Sequence, residues 1–130
     1  MGSNPNGGTI FFEKHKYSYN NPEQQKTKVK NVVYIHGANS SARSFRYIQK
    51  CLPDHKFLNI EYSVEIPLKV NISKIQKRIQ KEFATKKVSI VGHSLGGVIA
   101  IGLHNKLKIL DRTITISAPF GGSKIVEYFR

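Results

Sequence analysis

Ser94 stands in Gly92-His93-Ser94-Leu95-Gly96, a G-x-S-x-G pattern with chemical meaning only in the right setting. A serine hydroxyl is a weak nucleophile, and it needs a geometry that presents it to a carbonyl and stabilises the oxyanion that forms. The flanking residues supply that setting. Val88-Ser89-Ile90-Val91 is a short β-branched run of the kind buried on both faces of a sheet, and Gly97-Val98-Ile99-Ala100-Ile101 opens an apolar helical run. Strand, tight turn and helix then follow one another without a spacer. Gly92 and Gly96 lack a Cβ, so the strand and the helix can close around Ser94 and push its backbone toward positive φ. The free N–H groups and positive dipole end at the start of the helix would stabilise an anion beside Ser94, with Leu95 the first donor.

A second stretch points to the same chemistry. Asn31–Gly37 (NVVYIHG) places another doubly buried strand, Val32–Ile35, before His36-Gly37 and a turn rich in Ser and Asn. Ser40 or Ser41 can cap a helix through about Leu52, with Phe45, Ile48 and Leu52 at helical spacing.

These two stretches together resemble the α/β-hydrolase family, above all its lipase and esterase branch, in which GHSLGG is a familiar form of the nucleophile elbow. The resemblance runs from about Asn31 to Ser123. It implies Ser94 as nucleophile and the N–H groups of Leu95 and Ala38 as the oxyanion hole. Gly37 would let the loop backbone approach the carbonyl, and His36 would pack against its own loop. The further glycine usual in that loop is replaced here by Asn39-Ser40-Ser41. The resemblance also implies a strand order Lys56, Asn31, Lys87, Arg112, which puts the switch point between the Asn31 and Lys87 strands. Ligands of open α/β sheets bind beyond the carboxyl ends of the strands at that point.

The elements that would hold the site follow in order. Thr9–Asn20 carries aromatics and β-formers, as one strand or an edge hairpin arm, and Asn20–Lys30 is a polar connector. Lys56–Tyr62 reads as a strand. The adjacent Asp54-His55 pair belongs to an ordinary turn at the wrong end of the sheet. Pro67 opens a helix with Ile72, Ile75, Ile79 and Phe83 on one stripe and Lys74, Lys77, Arg78 and Lys81 on its other sides. Leu95–Leu107 is apolar nearly all round, with His104 turned away from Ser94. Arg112–Ser117 is a strand, and Ala118–Ser123 resembles the loop that lines the acyl pocket in lipases. Strands alternating with helices require a parallel sheet with right-handed crossovers, a three-layer α/β/α sandwich.

Residues 1–30 are expected to be a leader with an N-terminal strand, and 31–130 a hydrolase-like domain. In the family the catalytic acid and histidine follow the nucleophile. After Ser94 there are only His104, Asp111 and Glu127, none placed at the end of a later strand. The domain is therefore expected to be cut short on its C-terminal side.

Composition bounds the alternatives. The 130 residues suit one domain, and 39% hydrophobic content supports a packed core. Lys and Arg number 21 against 8 acids, a net charge of +13. Such a charge suits an anionic membrane surface, nucleic acid or acidic substrates, but the lysines are scattered as on a solvated face. No nucleic-acid motif accompanies them, so specific nucleic-acid binding is not expected. Cys51 is the single cysteine, and Met1–Gly8 has no apolar signal region, which together fit the cytoplasm. No metal or cofactor is called for. The leading reading is a carboxylic-ester hydrolase acting on a small-molecule or lipid ester. A non-catalytic α/β scaffold or basic binding module that retains the elbow, or an inactive fragment, stays open beside it.

Overall fold

The structure is a computed structural model that describes residues 9–13, 31–52 and 54–120. Five strands form one sheet: β1 (Thr9–Glu13), β2 (Asn31–Ile35), β3 (Lys56–Ile60), β4 (Val88–His93) and β5 (Leu110–Ile116). Their spatial order is β1-β5-β4-β2-β3. The four strands from β2 to β5 are parallel, and β1 pairs antiparallel along the outer edge of β5. The order of the parallel strands is the expected one, and the switch point lies between β2 and β4. Of the stretch Thr9–Asn20, Thr9–Glu13 forms an edge strand, and residues 14–20 lie outside the described residues. The expected connector, the leader and residues 121–123 of the pocket loop lie outside the described residues.

Burial follows strand position. The central strands β2 and β4 bury nearly every residue, as their continuous β-branched runs require, whereas edge strand β3 exposes Lys56 and Phe57. Three helices follow: α1 (Arg46–Cys51), α2 (Leu68–Phe83) and α3 (Leu95–His104), the first entered through a 3-10 turn at Ala42–Phe45. On one face of the sheet, Ile72, Ile75, Ile79 and Phe83 of α2 and Ile99, Ala100 and Leu103 of α3 pack on Val33, Ile35, Leu58, Ile60, Val88 and Ile90. On the other face, Phe45 packs on Val32, Tyr34 and Val91. The result is a three-layer α/β sandwich, with helices on both faces of a mostly parallel sheet.

Element ends differ from expectation at several places. The helix expected from Ser41 to Leu52 breaks into the 3-10 turn and six residues of α-helix, with Leu52 still 42% exposed. Ser41 does cap it, through Arg43 N–H to Ser41 Oγ. The stripe fails because Phe45 alone reaches the core, with Ile48 only partly buried against it. Strand β3 ends at Ile60 instead of Tyr62, because Glu61 and Tyr62 leave the ladder to bond the loop after β2. Helix α3 stops at His104, though Leu107 beyond it is fully buried. Strand β5 starts two residues before Arg112, which puts Asp111 at its beginning, at the edge of the sheet away from Ser94.

Candidate active site

Ser94 is the single residue between β4 and α3, with φ 55° and ψ −120°. This backbone region is sparsely populated by residues that carry a Cβ. Two hydrogen bonds hold it: Ser94 N–H donates to Ile116 O at 2.9 Å, and Gly97 N–H donates to Ser94 O at 2.9 Å. The first ties the turn to β5, and the second starts the helix.

The two flanking glycines are required by close approach. A Cβ at Gly92 would stand 2.3 Å from Gly96 O, so any side chain there would enter the first turn of α3. A Cβ at Gly96 would stand 2.1 Å from Ile35 O and 2.5 Å from His36 O. Helix α3 therefore sits with its N-terminus directly against the end of β2. Gly97, in the same turn, faces Ala118 and Thr115 with no room for a Cβ, a constraint the G-x-S-x-G pattern does not encode.

The loop after β2 comes to the same place. A Cβ at Gly37 would lie 3.1 Å from Ser94 Cβ and 3.3 Å from His93 O. The absence of a side chain at Gly37 thus serves the approach of the elbow itself. Ala38 follows, half-buried, and Asn39 turns the chain at φ 56°. No backbone acceptor meets the Ala38 N–H among the described residues. Leu95 is buried, and its N–H belongs to the first turn of α3, where no intrahelical acceptor exists. The structure brings Gly37 against Ser94 at the carboxyl ends of β2 and β4, with Ala38 and Leu95 the residues that follow each.

His36 is buried and fixed by its neighbours. Its Nδ1 lies 2.7 Å from Gly37 O, and since a carbonyl can only accept, Nδ1 carries the proton. Its ring stacks on Tyr62 with centroids 4.6 Å apart, and the Tyr62 hydroxyl donates to His36 O at 2.8 Å. Burial pushes the Tyr62 phenol up to about 12, which keeps it protonated as a donor. Glu61 Oε2 stands 3.0 Å from His36 Nε2, which makes no hydrogen bond among the described residues. Glu61 Oε1 accepts from Ala42 N–H at 2.9 Å, which pins the far end of the loop. Sequence reasoning missed this Glu61–Tyr62 clamp. Its only signal was a polar pair at the end of an otherwise apolar strand.

Of the other described histidines, His55 and His104 are engaged elsewhere. His55 meets the Tyr34 hydroxyl at 3.0 Å and the carbonyl of Leu52, at the other end of the sheet. His104 Nδ1 lies 3.1 Å from Thr113 Oγ1. His93 Nδ1 faces Gly37, buried and without a partner among the described residues. No hydrogen bond from a described histidine reaches Ser94 Oγ. Among the described residues no cluster of three or more His, Cys, Asp or Glu is placed to hold a metal ion. No described helix is long and apolar enough to cross a membrane.

The sequence profile of an uncharacterised protein family, UPF0227, matches residues 31–118. The chain also resembles the solved structure of MenH from S. aureus, at 18% identity and a TM-score of 0.48 over 74% of this chain. The match spans 36% of that protein's length. No curated protein matches the chain.

Proposed function

The chain belongs to the uncharacterised protein family UPF0227, and from that membership and the elbow we propose that it is a serine hydrolase acting on carboxylic esters. The observation that carries this reading is the backbone of Ser94, at φ 55° and ψ −120°, held between two glycines that admit no side chain. In the proposed reaction Ser94 Oγ attacks the ester carbonyl while its proton passes to a base. The carbonyl oxygen becomes an oxyanion facing the N–H groups of Leu95 and Ala38. Collapse of the tetrahedral intermediate expels the alcohol, which takes up the proton, and water then releases the acid by the reverse sequence. Loss of one oxyanion donor in such a site costs about 3 kcal/mol. The substrate is a small-molecule or lipid ester. No described histidine hydrogen-bonds Ser94 Oγ, so the base and its orienting acid are assigned in this reading to residues outside those described.

Labelling with a fluorophosphonate tests the reading, run with and without added imidazole to stand in for the base. A covalent adduct on Ser94, absent from Ser94→Ala, is the expected result. An unmodified Ser94 in both conditions would instead favour the non-catalytic scaffold.

A further inference from the structure

A cleft of about 570 Å³ opens beside the loop after β2, a size typical of small-molecule sites. We propose that it receives an anionic group, a carboxylate or phosphate, carried by the ester whose carbonyl reaches Ser94. This rests on the hydrolase reading and names the class of substrate.

Position comes first. The cleft lies between the end of β3 and the first half of α2, on the carboxyl side of the sheet where Ser94 also lies. Strand β2 alone separates β3 from β4, so the cleft stands about 10 Å from the elbow at the usual strand spacing. A substrate with its ester at one end and its charge at the other can span that interval. Tyr62 connects the two places. It lines the cleft, and its ring and hydroxyl hold His36, whose neighbour Gly37 packs on Ser94.

Charge comes next. Lys74 and Arg78 line the cleft one turn apart on α2, and residues four apart share a helix face. Neither forms an ion pair among the described residues. The one acid in the lining, Glu61, is taken up by Ala42 N–H and faces His36. The one acid in α2, Glu82, pairs with Lys56 at 3.5 Å. Two cations thus line the cleft against the single carboxylate of Glu61, and neither is paired among the described residues. Buried Ile60 and Ile75 form its floor, and an apolar wall lowers the local dielectric and strengthens attraction to an anion. Arg78 adds a planar fork that matches carboxylate or phosphate oxygens in pairs.

The test compares two esters of one length by calorimetric titration of Ser94→Ala, which binds without turnover. Monomethyl suberate carries a free carboxylate, and dimethyl suberate does not. The expected result is at least tenfold tighter binding of the monoacid, lost in Lys74→Gln/Arg78→Gln and weakened by salt. Vesicles form the second arm. Binding to phosphatidylglycerol but not phosphatidylcholine vesicles, lost in the same double variant, would assign the anion to a lipid headgroup. Equal binding of the two esters with no vesicle binding, or a preference that survives the double substitution, overturns the proposal. Both substitutions lie on exposed side chains, so folding is preserved. Fluorophosphonate labelling keeps the two readings apart. A labelled Ser94 without anion preference sinks only this proposal, whereas an anion preference with an inert Ser94 sinks only the hydrolase.

Discussion

Ser94 shares its backbone conformation with Ala84, which follows α2 at φ 52° and ψ −106°. At Ala84 the geometry does no chemistry; it brings the Ala84 N–H to Gln80 O at 2.9 Å and closes the helix. A residue with a Cβ in this region costs on the order of 1–3 kcal/mol, and glycine removes most of that while adding ~0.5–1 kcal/mol of unfolded-state entropy. Ser94→Gly should therefore be more stable than Ser94→Ala by about 1 kcal/mol in urea denaturation, with a similar gain for Ala84→Gly over the parent. Equal stability of Ser94→Gly and Ser94→Ala would mean the turn is not strained. Tyr62 gives a second test. Its phenol ionises near 10 when unfolded and about 12 when folded, so its contribution is complete below pH 10 and is lost as pH rises through 12. Stability of the parent should fall across that window more steeply than that of Tyr62→Phe. The strain at Ser94 was legible in the sequence because two glycines flank it. The strain at Ala84 was not, for no neighbour there signals it. The clamp on His36 joins residues 26 positions apart in the chain, beyond the reach of a local pattern.

The two helices that meet β2 and β4 depend on different features of their sequence. Helix α2 was legible from its period: Ile72, Ile75, Ile79 and Phe83 repeat at three- and four-residue steps, and all four are buried. Ile79, fully buried, should cost ~2–5 kcal/mol on change to Ala, whereas exposed Lys77→Ala should stay within about 0.5 kcal/mol. Helix α3 is apolar nearly all round and, besides packing Ile99, Ala100 and Leu103 in the core, sets its own backbone against β2. Gly96→Ala should thus cost about 3 kcal/mol or more, since its Cβ meets carbonyl oxygens that cannot move aside. Gly102→Ala on the same helix meets only the tip of Ile72, at 2.6 Å. The helical gain of about 0.5–1 kcal/mol over glycine should offset that contact and leave a change under about 1 kcal/mol. Equal losses at the two positions, measured by thermal unfolding, would refute the backbone contact. Helix α1 was misjudged in extent, since apolar spacing sets which side faces the core but not whether a core is there to meet it.

Across the whole molecule, the parallel sheet was legible because strands alternate with helices, whereas its strand order came from the family resemblance and not from the residues themselves. The antiparallel seat of β1 on β5 was not legible, since short aromatic segments carry no signal of partner or direction. The central position of β2 and β4 has a measurable consequence. Amides of Val33 and Ile90, both fully buried, should exchange with deuterium only through global unfolding, and those of edge strand β3 should exchange sooner. Faster exchange in β4 than in β3 would contradict the order.

Strand β2 has its first neighbour, β3, ending at Ile60 and its second, β4, beginning at Val88. At a synthesis rate of about 5–20 residues per second, β4 emerges from the ribosome roughly 1.5–6 seconds after β3. For that interval the inner edge of Val32–Ile35 has a complete apolar strand and no ladder to join. An open edge of this kind recruits other strands. The elbow strand is then the segment that closes this edge of β2, so slowing translation between Glu61 and Lys87 should raise the yield of aggregated chain.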